Sequence, residues 1–382
     1  MTKKKVFHLI DNVGIGGAQD CVLELVNSVR GVRHYGMTLH GSSRNEYVAR
    51  LKKAFSNNFY VCTKKSWHFV NPISWFRLVA AIRHVSPDVI HAHLFFSFLF
   101  ISLMRVLKII SPPLVVSLYG IKEQTRFFED LGYALLKNQC HCFVTTDRKG
   151  VCELEALGIP TAKIKFIQTS YSMFGLARQD TDIRRLHGLK DEKLIVRVAR
   201  FDREKGYREL IDILHKLRRK YGIVFKVLLV GDGPERSCIM EMVKAYDLEN
   251  DFIFCGTKLN YVDYLISADV VVCSSIKESF GLTNIAALSE GCPFVCFSTG
   301  SLVNLKNERY RYAIEDFSVD TFADAIHEVL TDREKRDYAS EFGKTFYEKY
   351  FSKSEMTEYK RIYKYASTDS ESKRGIPADK RS

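Results

Sequence analysis

The sequence predicts an α/β protein built from two doubly wound, parallel-sheet domains. Three observations carry that prediction. Apolar strands alternate with helix-length segments along most of the chain, the alternation restarts once near residue 192, and 382 residues exceed what one core comfortably fills. Ligands on such sheets bind beyond the carboxyl ends of strands, so a bound molecule is expected in a cleft between the domains.

In the first half, KVFHLI (Lys5 to Ile10) reads as a strand, DNVGIGGAQD as a glycine-rich loop and CVLELVNSVR as a helix. PDVIHAH (Pro87 to His93) and LVVSLYG (Leu114 to Gly120) are further strands. Between them HLFFSFLFISLM (His93 to Met104) is short of the roughly 20 residues that span a bilayer, and it reads as a buried helix. In the second half, LIVRVAR (Leu194 to Arg200), FKVLLVGDG (Phe225 to Gly233), DFIFCG, DVVVCS (Asp269 to Ser274) and PFVCFS are strands. YRELIDILHKLRRKY, RSCIMEMVKAYDL, YVDYLISA and DTFADAIHEVLTDREKRDYA are the helices among them. Strand, helix, strand in alternation implies parallel pairing with right-handed crossovers.

The net charge is +12, with lysines and arginines scattered rather than run together. No basic helix, zinc spacing or RNA-binding aromatic pattern accompanies the charge, so nucleic acid is not expected. A surface working beside anionic lipid headgroups is the preferred reading, and a merely soluble basic surface is its bland rival. The ten cysteines show no paired CxxC spacing and MTKKKVFHLI carries no signal peptide, which points to a reducing, cytoplasmic setting.

The residues with chemical potential sit in loops directly after strands. Gly14, Gly16 and Gly17 let backbone amides approach an anion at a helix N-terminus, or simply make a tight turn. In ARFDREKGY, Arg200 can fork over two oxygens of a diphosphate and Lys205 can act as a point charge. Gly231 begins a turn with close backbone access. Glu278 precedes Phe280, Gly281, Leu282 and Thr283, whose amides would open a helix. His91 and His93 lack a carboxylate or thiolate companion in register, so a core or acceptor-side role outweighs a metal site.

Taken together and in order, the GGAQ loop, PDVIHAH, ARFDREKG, VGDGPE, FIFCG, ESFGL and EGCPFV resemble the family-4 retaining glycosyltransferases of the GT-B fold, across about nine-tenths of the chain. The resemblance implies that Arg200 and Lys205 bind the donor diphosphate, that Glu278 holds hydroxyls of the transferred sugar, and that the SFGL amides grip sugar and phosphate. It implies an acceptor-side domain at 1–168, a linker at 169–191, a nucleotide-sugar domain at 192–345 and a helix at 346–366 returning to the first domain; the polar, aperiodic run at 367–382 reads as a disordered tail. No cofactor and no metal are implied beyond the nucleotide-sugar co-substrate.

The chain departs from the family pattern at three places. The usual glutamate, seven residues, glutamate motif becomes Glu278 to Ala286, removing a ribose contact. Glu290, one turn on, shares that face. Tyr119 stands where a histidine usually follows the strand; with His93 it is an acceptor-side candidate, able to donate one hydrogen bond. QTSYS replaces the usual Asn-Gly before the linker. The expected activity is metal-independent, retaining transfer of a hexosyl or N-acetylhexosaminyl group from a nucleotide diphosphate, UDP ahead of GDP. The expected acceptor is a hydroxyl of a glycan or glycolipid in cell-surface polysaccharide or lipopolysaccharide biosynthesis, at the cytoplasmic membrane face. A degenerate scaffold protein is the alternative, and a nucleotide-sugar epimerase a distant third.

Overall fold

The computed structural model describes residues 3–13, 17–40, 46–63, 72–119, 126–146, 148–167, 178–278, 281–307, 309–352 and 355–367. The chain forms two compact units, residues 1–170 with 354–382, and residues 171–353.

Unit 1 runs β1 (Lys4–Asn12), α1 (Gly17–Ser28), β2 (Val32–His40), α2 (Glu46–Ala54), β3 (Phe59–Thr63), α3 (Pro72–Val85), β4 (Val89–His93), α4 (Phe95–Val106), β5 (Leu114–Leu118), α5 (Arg126–Leu136), β6 (Cys142–Thr145), α6 (Arg148–Ala156) and β7 (Ile164–Phe166). The seven strands lie in the order β3-β2-β1-β4-β5-β6-β7, all parallel. Strand alternation gives the sheet two chemically different faces. Phe7, Leu9, Ile90, Ala92, Leu114 and Val116 point to an apolar core shared with Leu78 and Ile82 of α3 and Phe98 and Ile101 of α4. The residues between them, His8, His91, His93 and Ser117, are buried on the opposite face.

Unit 2 runs α7 (Ile183–Leu186), β8 (Lys193–Val198), α8 (Tyr207–Tyr221), β9 (Phe225–Val230), α9 (Arg236–Ala245), β10 (Phe252–Gly256), α10 (Tyr261–Ile266), β11 (Val270–Cys273), α11 (Leu282–Ser289), β12 (Phe294–Phe297), α12 (Val303–Asn307), β13 (Ala313–Ile314), α13 (Val319–Thr331) and α14 (Arg333–Tyr350). Its strand order is β10-β9-β8-β11-β12-β13, again parallel throughout.

Three expectations change in detail. The run from Asp320 to Ala339, read as one helix, breaks at Asp332, which ends α13 in an extended conformation and caps α14 by accepting from the Lys335 amide. The start of the helix expected to return to the first domain at 346–366 belongs instead to α14 and stays in unit 2, where Gly343 lies against Leu288 and the Ser340 hydroxyl donates to the Gly291 carbonyl at 2.5 Å. Only α15 (Glu358–Ser367) reaches unit 1. The far half of the expected connector is fastened to unit 2, because the amides of Gln179, Asp180 and Thr181 donate to the Asp263 carboxylate at 3.0–3.2 Å. Asp182 then caps α7. Residues 168–177 and the tail from 368 lie outside the described residues.

Polar side chains fasten α15 to the second face of the first sheet. Tyr363 meets His91 Nδ1 at 2.8 Å, Tyr359 meets Ser117 Oγ at 2.8 Å, and both tyrosines are buried. Removing one hydroxyl leaves a buried imidazole nitrogen unpaired, so Tyr363→Phe should lower stability by about 1–3 kcal/mol in chemical denaturation.

Candidate functional site

In unit 2 the strand order reverses between β8 and β11, and the loops that leave these two strands carry the charged candidates. Such a switch point opens a crevice at the carboxyl ends of the strands. After β8, residues Arg203–Lys205 make a single 3₁₀ turn that ends at Gly206, with φ 65°. A Cβ on Gly206 would sit 1.8 Å from the Ser274 carbonyl oxygen, so only glycine lets this loop close on the end of β11. The amides of Ile276 and Lys277 donate to the Glu204 carbonyl and tie the two loops together.

That closure brings Lys205 to Glu278. Lys205 Nζ lies 2.7 Å from Glu278 Oε1, and both side chains are largely shielded from solvent. Glu278 Oε2 accepts from Ser275 Oγ at 3.1 Å. Ser275 Oγ also accepts from Arg197 Nη2 at 2.6 Å, and Arg197 donates to the Val272 and Lys205 carbonyls at 3.3 Å. Arg197 is fully buried in β8, so a cation, a hydroxyl, a carboxylate and a second cation form one continuous line. Arg197 and Ser275 are not singled out by the sequence pattern. The available signal was an arginine inside LIVRVAR, since charged residues are rare in strands covered on both faces.

The remaining candidates of unit 2 take other positions. Arg200 is not part of this line; its side chain is 62% exposed and pairs with Asp202 at 3.2 Å. Gly231 is required by the fold itself, because at φ 145° a Cβ there would lie 1.9 Å from the Ala199 carbonyl oxygen. Gly281, at φ 75°, precedes α11, whose first-turn amides at Leu282 and Thr283 have no acceptor within the helix. The Thr283 hydroxyl donates to the Val198 carbonyl, which pins α11 to β8. Ala286 is wholly buried in α11, and Glu290 pairs with Arg178 at 3.5 Å. Phe280 lies outside the described residues.

In unit 1, Gly17 is the first residue of α1 and Gly16 lies outside the described residues. His93 ends β4 and Tyr119 follows β5; they belong to a chain of imidazoles with a defined polarity. The Val29 carbonyl accepts from His34 Nε2 at 3.0 Å, His34 Nδ1 faces His8 Nε2 at 2.9 Å, and His8 Nδ1 faces His93 Nε2 at 3.0 Å. His93 Nδ1 meets the Tyr119 hydroxyl at 3.0 Å. Burial lowers the pKa of His8, His34, His91 and His93, that of His93 to about 3, so the rings are neutral. A carbonyl only accepts. His34, His8 and His93 therefore each carry their proton on Nε2, and the Tyr119 hydroxyl donates to His93. The donor that the sequence assigned to Tyr119 is thus spent inside the protein. His8, His91 and His93 have nitrogens within 4.8 Å of one another, the spacing of a metal cluster, but hydrogen bonds already use every ring nitrogen of the three.

Asp11, at the end of β1, was also missed. It is buried and caps α4, accepting from the Ser97 amide and hydroxyl at 2.6 and 2.5 Å and from the Phe96 amide at 3.2 Å. Burial raises its pKa to about 6, against the effect of those hydrogen bonds.

These shifts fix a pH dependence. The unfolded chain protonates its histidines below about 6.5 while the folded chain holds them neutral, so each contributes stability that is present above 6.5 and is lost as pH falls. The slope is about 1.4 kcal/mol per pH unit for each uncompensated histidine. Asp11 and Asp20, both raised to about 6, work in the opposite sense between about pH 4 and 6, but they are outnumbered. The melting temperature should therefore fall between pH 7.5 and 5.5; a flat profile would contradict the neutral imidazole chain.

Residues 179–346 match the family model described as glycosyl transferases group 1. A curated relative, N-acetyl-alpha-D-glucosaminyl L-malate synthase of Bacillus anthracis, is 27% identical over 206 residues, covering 52% of this chain and 54% of its own length. The chain thus spans about half the length of the curated relatives it matches at that level. Among solved structures, Anabaena HepE in complex with UDP and glucose aligns with a TM-score of 0.78 at 17% identity, over 96% of this chain and 100% of that one. WaaG, a glycosyltransferase involved in lipopolysaccharide biosynthesis, aligns with a TM-score of 0.72 at 14% identity, over 94% and 99%. At these identities the likeness establishes the fold.

Proposed function

For a chain whose residues 179–346 match the glycosyl transferases group 1 model and that has the GT-B fold, we propose metal-independent, retaining transfer of a hexosyl or N-acetylhexosaminyl group from a UDP-sugar. The acceptor is a hydroxyl of a glycan or glycolipid of cell-surface polysaccharide or lipopolysaccharide biosynthesis, met at the cytoplasmic face of a membrane. No helix among the described residues is long and apolar enough to cross one.

The observation that carries this reading is the Lys205–Glu278 pair at the β8/β11 switch point, 2.7 Å apart and backed by Ser275 and Arg197. A diphosphate offers Lys205 a stronger partner than one carboxylate, and it frees Glu278 to accept hydrogen bonds from sugar hydroxyls. Arg197 is held behind Glu278 through Ser275 and keeps it oriented. The first-turn amides of α11, which have no acceptor within the helix, face developing negative charge as an oxyanion site does. Arg200, tethered only at the surface to Asp202, swings to the phosphate when the donor arrives. The departing diphosphate is then stabilised by protein cations and amides, and its oxygen takes the proton of the acceptor hydroxyl.

Two variants test this. Lys205→Ala should weaken UDP binding at least tenfold in calorimetry, the loss of a shielded charge-assisted contact. Glu278→Gln should keep UDP affinity within about threefold yet lose most transfer, because it removes the group that meets the sugar rather than the phosphate. Unchanged UDP affinity in Lys205→Ala would refute the donor site. Full activity in the presence of a chelator is the expected result for the metal-independent route.

A further inference from the structure

The helices that cover the apolar face of unit 1 carry a second apolar surface on their outer side. α5 shows it most clearly. Its inner side buries Tyr133 and Glu129, whereas Phe127, Phe128 and Leu135 are 75%, 72% and 70% exposed, with Leu131 between them. Positions 127, 128, 131 and 135 fall within an arc of about 100° on a helix, so they form one stripe. A surface helix ordinarily places charged and polar side chains there. Neighbouring helices repeat the feature with cations interleaved: Phe76 of α3 is 75% exposed next to the exposed Arg77, and Leu107, at the end of α4, is 62% exposed next to the exposed Lys108.

The charge on α3 and α4 has one sign, while α5 carries Arg126 with Asp130 and a buried Glu129. From Pro72 to Ile109 the sequence contains four cations and a single acid, Asp88, whose carboxylate is engaged by the Lys5 amide. An apolar surface of this extent marks an interaction site. A symmetric contact with a second copy would set arginine against arginine, so self-association does not suit it. An anionic lipid surface answers both properties, accepting aromatic side chains at the boundary between headgroups and acyl chains while its phosphates meet the cations.

We propose that the outer face of α3, α4 and α5 docks unit 1 on an anionic bilayer. The proposal deepens the transferase reading, because it brings the unit that carries His93 and Tyr119 to a lipid-linked acceptor. The surface stands on its own physical features.

The test is co-sedimentation of the full chain with vesicles of phosphatidylcholine alone and of phosphatidylcholine with about 30% phosphatidylglycerol, at low and high salt. Binding is expected to the anionic vesicles only, and to weaken as salt rises. Phe127→Ser with Phe128→Ser should lower the bound fraction at least fivefold, as should Arg77→Glu with Lys108→Glu. Melting temperature should stay unchanged in the first pair, whose side chains are exposed. Equal binding by both double variants, or no binding to anionic vesicles at low salt, overturns the proposal. So does a wild-type oligomer in gel filtration that Phe127→Ser with Phe128→Ser disperses, since a protein contact would then cover the stripe. Failure of UDP binding with vesicle binding intact would sink the donor site alone.

Discussion

The organisation of the candidate donor site depends on one buried guanidinium. Arg197 stands in the middle of a strand that is covered on both faces, where an unpaired charge would be untenable. Its hydrogen bonds reach the Val272 carbonyl on β11, the Lys205 carbonyl in the loop after β8, and Ser275 in the loop after β11. Satisfying this one residue therefore draws together the two loops that flank the switch point. Glu278 and Lys205 end up paired because the backbone that bears them is already held. Gly206 completes the arrangement by lacking the Cβ that would strike Ser274.

The first unit solves a related problem with neutral groups. Its sheet has one face of aliphatic and aromatic side chains and one of histidine, serine and tyrosine, separated only by the alternation of the strand. On the polar face the Val29 carbonyl sets the direction of a hydrogen-bonded chain through three imidazoles to Tyr119, and α15 closes the face through Tyr359 and Tyr363. The second face can be buried because its nitrogens and hydroxyls are paired and its rings hold no charge. A helix from the far end of the chain is thus part of the core of the first unit.

Much of the fold was legible from the pattern of the chain. Strands such as FKVLLV and helices such as YRELIDILHKLRRKY lie where their periodicity places them, since burial on both faces writes a continuous apolar run and burial on one writes a helical stripe. The break at Asp332 was hidden because an aspartate inside a helical pattern looks like a surface residue until its carboxylate is seen capping the next helix. Glu278 and Lys205 could be singled out as charges after strands. Arg197, Ser275 and Asp11 could not, because their roles depend on partners 78 and 86 positions away in the chain or on loops brought together by folding.

By itself, then, the sequence determined the two parallel-sheet units and the charged loops that follow their strands, because periodicity and local turn chemistry are properties of neighbouring residues. Tertiary structure decided which of those charges meet. It paired Lys205 with Glu278, left Arg200 at the surface with Asp202, enclosed Ala286, and turned the Tyr119 proton inward. These outcomes depend on distances between residues remote in sequence, and on burial, which sets whether a group keeps its charge and where its proton resides.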